Sequence, residues 1–248
     1  MNLIVDIGNT RAKYAVFEDN VCRQGGVGFP AIRQFLASLN EKDELNVILS
    51  TTGPISWHER EFLRTKSTFF CELSSEIPLP IQLGYETPKT LGCDRIAGSV
   101  GGAFLYPGRD LLIIDSGTAI TFDFVTASGV FLRGNISPGI NIRFKALYEY
   151  TSSLPLVQVD DNYGFVGKNT SDAILNGVME GMLFEVRGYI DAWKEDNPNS
   201  VVIITGGGGK YLRDKLNRVA VFEEQLVMIG LNRILEYQKT VNNDRNMD

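Results

Sequence analysis

Two segments of the chain put an aspartate at the end of an apolar run with glycine and threonine close behind it: Asp6-Ile7-Gly8-Asn9-Thr10 and Asp115-Ser116-Gly117-Thr118. Small residues in such a turn let backbone N–H groups approach an anion closely, and phosphate is the natural ligand. Taken alone, the first segment is equally an ordinary hairpin with Asn9 in the left-handed conformation. Two such turns facing each other can hold a polyphosphate and its metal from both sides. In that arrangement Asp115 supplies a hard oxygen ligand or holds metal-bound water, and Thr118 donates its hydroxyl to phosphate. A coincidental pair of hairpins is the alternative.

A third segment, Thr205 to Leu212 (TGGGGKYL), runs from a strand end through four glycines into a helix, where a flat ring can lie against bare backbone. Beside the two hairpins it reads as an adenosine-contacting turn. Lys210 is followed by Tyr211 where a Walker-type phosphate loop needs Ser or Thr, and no GxGxxG follows the first strand. The segment Gly84 to Arg95 (GYETPKTLGCDR) sets Asp94 beside Arg95 where a helix begins. A carboxylate there can accept a hydrogen bond from a substrate hydroxyl, while the guanidinium pairs with a carboxylate or phosphate. The plain alternative is a first-turn acid answering the helix dipole, with Arg95 on a solvated face.

Other chemistries are excluded by counting. His58 is the only histidine, which removes a His-based triad, a multi-histidine metal site and HExxH chemistry. Cys22, Cys71 and Cys93 are odd in number, far apart and in no CxxC pair, so neither a disulfide framework nor a thiolate metal site is expected, and a reducing cytoplasm is the simple reading. Glu185, Arg187 and Asp160-Asp161 read as solvated charge without a role. Phe69-Phe70 and Tyr148/Tyr150 read as core or interface packing.

The elements that must position these residues follow from the hydrophobic periodicity. Asn2 to Gly28 reads as strand, tight turn, strand, strand; Pro30 opens a helix. A strand over NVILST, a helix from Trp57 to Arg64 and a strand near Phe69 to Leu73 come next. The Pro- and Gly-punctuated stretch Ile77 to Gly92 is a long loop. After a helix over Cys93 to Tyr106 the opening pattern returns: LLIIDSGTAITFDFV and GVFLRGNI repeat the Asp-ended strand and the meander. Helices from about Gly139 to Tyr150 and Ser171 to Glu195, the strand VVIIT and a last helix near Glu223 to Tyr237 complete the second copy. The expected fold is therefore α/β, built of duplicated lobes, 1–107 and 108–248, with a cleft between them.

With 248 residues, 44% apolar and 22% charged, the chain can bury one large core or two modest ones. A net charge of −6 leaves no basic stripe for nucleic acid or anionic lipid, and no apolar run reaches membrane-spanning length, so a small-molecule partner in the cytoplasm is expected.

The set of motifs, in order, resembles the type III pantothenate kinases: DIGNT near the N-terminus, Gly-Tyr followed by Pro and then GxDR, DSGTAxTFD, an SPG turn, and a later Thr before an Ala-Ile helix. The resemblance implies duplicated ribonuclease H-like lobes of the actin/hexokinase/Hsp70 kind, and phosphorylation of pantothenate by ATP with magnesium. By that similarity, Asp6, Ile7, Gly8, Asn9, Thr10, Arg11, Ala12, Lys13 and Thr118 contact ATP. Tyr85, Gly92, Cys93, Asp94, Arg95 and Thr170 line the pantothenate site, with Asp94 as the base. Asp115 matches the ligand of a monovalent cation, potassium or ammonium, and the family implies a homodimer. Two positions depart from the pattern: Asn135, where a second glycine is usual, and Ser116, where Phe is. A different kinase of this fold, or a nucleotide-binding regulator without turnover, are the competing readings.

Overall fold

A computed structural model describes residues 1–40 and 44–245. The chain divides into two compact units. The first comprises Met1–Gly108, Val125–Arg133 and Gln225–Asp248, and the second Arg109–Phe124 and Gly134–Glu224.

The first unit begins with the meander β1 (Asn2–Ile7), β2 (Ala12–Glu18) and β3 (Val21–Val27), continues through helix α1 (Phe29–Ala37), strand β4 (Asn46–Thr51), helix α2 (Trp57–Lys66) and strand β5 (Phe69–Glu72), and then passes a two-residue strand β6 (Gln82–Leu83) to helix α3 (Cys93–Leu105). Strand β1 is buried along its length, with only Asp6 partly exposed, as a central strand must be. It pairs antiparallel with β2 and parallel with β4, giving the order β3-β2-β1-β4-β5. Leu3, Val5, Val16, Ile32, Val47, Leu49 and Leu63 form the core beneath it. Helix α2 starts on a capping box: Ser56 accepts from the Glu59 N–H, and the Glu59 carboxylate accepts from the Ser56 N–H.

The second unit carries β7 (Leu111–Ser116), β8 (Ala119–Val125) up to Phe124, the part of β9 (Val130–Pro138) from Gly134 on, helices α4 (Ile140–Glu149) and α5 (Thr170–Asp196), strand β10 (Val201–Thr205), helix α6 (Gly209–Lys215) and strand β11 (Val221–Phe222). The second sheet runs β11-β10-β7-β8-β9-β6; without the edge strand β6 its order is that of the first sheet read from the other end, each first strand flanked by its own hairpin partner and by a parallel strand. This is the duplication visible in the sequence. Leu112, Ile114, Phe122, Val186, Ile190 and Ile204 fill its core.

The last helix, α7 (Leu226–Arg245), belongs to the first unit, whereas a single cut near residue 107 assigns everything downstream to the second lobe. Two glycines, Gly101 on α3 and Gly230 on α7, let these helices meet backbone to backbone: a Cβ on Gly230 would lie 1.8 Å from the Ala97 carbonyl oxygen. The buried Asn2 side chain ties α7 to β1 by donating to Asn232 Oδ1 at 2.8 Å and Glu236 Oε1 at 2.6 Å. Helix α7 also starts later and runs further than the apolar pattern indicates, because its final turns are exposed and carry no periodicity to read. The loop 77–92 is broken by β6, whose two residues pair with Val130 and Phe131, and by a 3-10 turn at Pro88–Thr90. Among the described residues no helix is long and apolar enough to cross a membrane.

Candidate functional site

In the first unit the sheet register dictates the surroundings of Asp6. Lys13 stands opposite it on β2 and Ser50 opposite it on β4. Ser50 Oγ donates to Asp6 Oδ1 at 2.9 Å. Burial pushes the Asp6 carboxyl above its usual range; the Ser50 hydrogen bond opposes that shift, the nearby negative charge of Asp94 adds to it and Lys13 reduces it. Asp6 and Asp94, separated in sequence by most of the unit, are therefore electrostatic neighbours. Ile7 is buried, and Asn9, Thr10, Arg11 and Lys13 are exposed beyond it, with Gly8 and Ala12 half-buried. The turn is closed by the Gly8 N–H donating to the Arg11 carbonyl at 3.2 Å.

Sequence reasoning misses what backs this turn. Thr52 and Gly53 follow β4, and their N–H groups both donate to the Ile7 carbonyl, at 2.9 and 3.0 Å. A Cβ on Gly53 would lie 2.4 Å from the Gly8 carbonyl oxygen. A glycine directly after a strand parallel to the Asp-ended one is the signal that could have found it.

The Gly84–Arg95 segment folds over the same unit. Gly84 N–H donates to the Phe131 carbonyl at 2.8 Å, which fixes Tyr85 edge-on to Phe131, ring centroids 5.7 Å apart. Arg95 is 7% exposed, so the solvated-face reading is wrong. Its guanidinium carbon lies 5.7 Å from the Tyr85 ring centre and 5.6 Å from that of Phe131. Such rings hold the long side chain in one orientation. Phe131 is a second residue that sequence reasoning misses, since it reads only as a core position of β9.

Gly92 is the N-cap of α3, and a Cβ on it would meet Asp94 Oδ1 at 2.6 Å. Asp94 Oδ1 accepts from the Arg95 N–H at 2.9 Å, so its carboxylate sits at the positive end of the helix. Cys93 Sγ donates to the Leu73 carbonyl at 3.3 Å, and burial, reinforced by Asp94, raises its thiol pKa and keeps it protonated. Asp6, Lys13, Tyr85, Gly92, Cys93, Asp94 and Arg95 thus all belong to one unit.

The second hairpin is built differently. Asp115, one residue before the end of β7, stands opposite Thr205 of β10, and the Gly117 N–H donates to the Ala119 carbonyl at 2.9 Å. Three further glycines press on it. Gly208 N–H donates to the Ser116 carbonyl at 2.9 Å, and Gly139 N–H to the Thr118 carbonyl at 3.1 Å. Gly206 has φ +85°, a conformation open to glycine at little cost, and a Cβ there would lie 2.3 Å from Asp115 Oδ1 and 2.7 Å from the Ser116 carbonyl. The Thr205–Gly209 turn therefore backs the second hairpin much as Gly53 backs the first. Gly207, at its tip, has nothing within 4 Å of where a Cβ would sit. Of the two departures, Ser116 is buried beneath Gly208, and Asn135 donates to the Tyr189 hydroxyl at 3.2 Å. Thr170 is the exposed first residue of α5 in this unit, whose N-cap Asn169 accepts from the Asp172 N–H at 2.9 Å.

No group of three or more His, Cys, Asp or Glu side chains able to hold a metal is present among the described residues. A divalent cation here would be held by one or two carboxylates together with oxygens of its ligand, the usual habit of magnesium with phosphates.

Two copies of one strand order, each with an aspartate at the tip of its first strand and a small-residue turn behind it, define a protein of the actin/hexokinase class. Solved structures agree on the fold. A protein from Campylobacter jejuni described as a Baf family transcriptional activator superposes with a TM-score of 0.61 at 23% identity, covering 96% of this chain and 99% of that one. A glucokinase from an Antarctic psychrotroph superposes with a TM-score of 0.53 at 12% identity, covering 95% and 98%. The sequence profile of the type III pantothenate kinases matches residues 2–192. A type III pantothenate kinase of Bacteroides fragilis is 40% identical over 238 residues, 96% of this chain and 98% of that protein. The chain belongs to the type III pantothenate kinase family.

Proposed function

We propose that the chain transfers the γ-phosphoryl group of ATP to the primary hydroxyl of pantothenate, giving 4′-phosphopantothenate and ADP at the first step of coenzyme A synthesis. Beyond family membership, the observation that carries this reading is the pairing, in one unit, of the Asp6 turn with Asp94 and a buried, ring-clamped Arg95.

Each residue has work that its surroundings suit. The turn Gly8–Lys13 and Thr118 donate to phosphate oxygens of ATP. Arg95, held between Tyr85 and Phe131, pairs with the carboxylate of pantothenate, with Gly92, Cys93 and Thr170 lining the acceptor's path. Asp94 accepts a hydrogen bond from the acceptor hydroxyl and orients its oxygen toward the γ-phosphorus. The new P–O bond forms as the bond to the β,γ-bridging oxygen breaks, the hydroxyl proton passes to Asp94 and ADP leaves. Because the transition state of phosphoryl transfer is loose, little proton abstraction is needed early, and positioning dominates.

A carboxylate destabilised by burial and by a second acid is suited to a cation. Asp6 would hold magnesium, which neutralises charge on the phosphate oxygens when bound. Asp115, with the Ser116 carbonyl beside it, is the ligand we assign to a monovalent cation, potassium or ammonium. The working unit is a homodimer in the cytoplasm; exposed Phe165, Val166 and Phe184 of the second unit supply apolar surface for it.

The test is ADP release measured with and without pantothenate. Pantothenate-dependent release is expected. Release only with a sugar or acetate-like acceptor makes the chain another kinase of the fold, and nucleotide binding without release makes it a regulator.

A further inference from the structure

The pair Arg143–Glu185, on neighbouring helices of the second unit, has no part in the chemistry described above. The sequence offers Glu185 only as solvated charge, and the structure overturns that. The two side chains are 20% and 25% exposed and form an ion pair. Arg143 also reaches back to the turn that ends β9. Its Nε donates to the Pro138 carbonyl at 2.8 Å and a terminal guanidinium nitrogen donates to Ser137 Oγ at 2.9 Å. One planar fork thus satisfies two acceptors of a single turn, and the terminal nitrogen that reaches Ser137 also pairs with Glu185 of α5.

What that turn touches gives the fork its consequence. Gly139, the next residue, is the N-cap of α4 and donates to the Thr118 carbonyl at 3.1 Å. A Cβ on Gly139 would stand 2.3 Å from the Thr118 carbonyl oxygen and 2.5 Å from that of Gly117. The backbone of Ser137–Gly139 is therefore a wall against the second hairpin, and the depth at which it sits decides where the Gly117 and Thr118 backbone lies. Pro138 supplies no N–H and the Gly139 N–H is spent on Thr118, so Arg143 adds the hold on the turn's acceptors, the Pro138 carbonyl and the Ser137 hydroxyl.

We propose that Arg143 and Glu185 are positioning residues for the phosphate-holding hairpin Asp115–Thr118: the ion pair sets the Ser137–Gly139 turn, and the turn sets the hairpin. The proposal rests on the reading of that hairpin as an ATP contact. It concerns affinity for nucleotide and leaves the acceptor alone, because none of the pair's contacts reaches the Gly84–Arg95 segment.

The experiment is a calorimetric titration of the full chain with ADP and with a non-hydrolysable ATP analogue, alongside steady-state kinetics and thermal melts. Arg143→Ala is expected to weaken nucleotide binding roughly 10-fold, the scale of losing hydrogen bonds from a charged group. Glu185→Gln, nearly isosteric, should weaken it less and in the same direction, and Arg143→Lys should fall between wild type and Arg143→Ala because a point charge cannot reproduce the fork. KM for pantothenate should stay within about twofold of wild type in all three. Wild-type nucleotide affinity in folded Arg143→Ala or Glu185→Gln overturns the proposal, as does an equal rise in both KM values or a lowered Tm with unchanged affinity. The titration needs no turnover, so absence of pantothenate-dependent ADP release from the wild type overturns the kinase reading separately from this one.

Discussion

The two Asp-tipped hairpins share a strand order and differ in what surrounds them. In the first, residues 8–11 make the turn, one glycine backs it, and its aspartate meets side chains: Ser50 by hydrogen bond, Lys13 and Asp94 by charge. In the second, the turn shortens to residues 117–118 and is pressed by the backbone of Gly139, Gly206 and Gly208. Fixed backbone dipoles suit holding phosphates that stay on the nucleotide, whereas a cluster of ionisable side chains suits the groups between which a proton and a phosphoryl group pass. On the proposed function, the reacting acid Asp94 sits with the first copy while both hairpins contact nucleotide, and substitutions in the two copies should separate in kinetics.

The largest separation should come from Asp94→Asn. Turnover is expected to fall roughly 100-fold or more while nucleotide affinity by titration stays near wild type. Near-normal turnover would remove Asp94 from the reaction and with it the distinction between the copies. Next in size, Gly206→Ala forces a side chain into a left-handed backbone and against Asp115. It should cost roughly 1–3 kcal/mol, about 2–12 °C in Tm for a chain of this size, and weaken nucleotide binding with it. Gly207→Ala, one residue on and in open space, is the control that should leave both measurements unchanged. Smaller again, Thr118→Ala should raise KM for ATP about 10-fold with kcat little altered. A fall in kcat of the size given by Asp94→Asn would place Thr118 with the reacting groups and break the comparison.

The first-copy residues were legible in the sequence to the extent that their types were unusual. An aspartate at a strand end before Gly-Asn-Thr, and an Asp-Arg pair after glycine, stand out by chemistry, and strand periodicity placed both hairpins. Gly53 and Phe131 did not stand out, because their role lies in approach distances set by register between strands far apart in sequence. Arg95 stands out in the sequence as a candidate beside Asp94, but its burial does not: nothing local indicates that Tyr85 and Phe131 close over it. The same holds for Glu185, whose partner Arg143 lies on another helix. Helix α7 joins the first unit through Asn2, Gly101 and Gly230, contacts that no window of sequence contains.

The smallest expected effect is on stability, and it tests why the first copy keeps an uncomfortable charge. The unfolded Asp6 carboxyl titrates near 3.8, and burial together with Asp94 raises the folded value above that. Between those two values the folded chain binds the proton more tightly than the unfolded one, so this group's contribution to stability is lost as pH rises through the window, and the full cost is present at neutral pH. Asp6→Asn retains an acceptor for Ser50 and removes the charge. The variant should therefore melt higher than wild type at pH 7, with the gap closing as pH falls toward 3.8. Asp94→Asn should narrow the same window by removing the charge that helps raise it. Melting curves of the wild type and both variants across that range check the sign. A variant Asp6→Asn that melts lower at pH 7 would mean that Lys13 and Ser50 outweigh burial, and that the carboxylate sits in the first copy without strain. If the expected sign holds, the first copy retains Asp6 against its own stability, which is the behaviour of a group kept for a cation and the phosphates that accompany it.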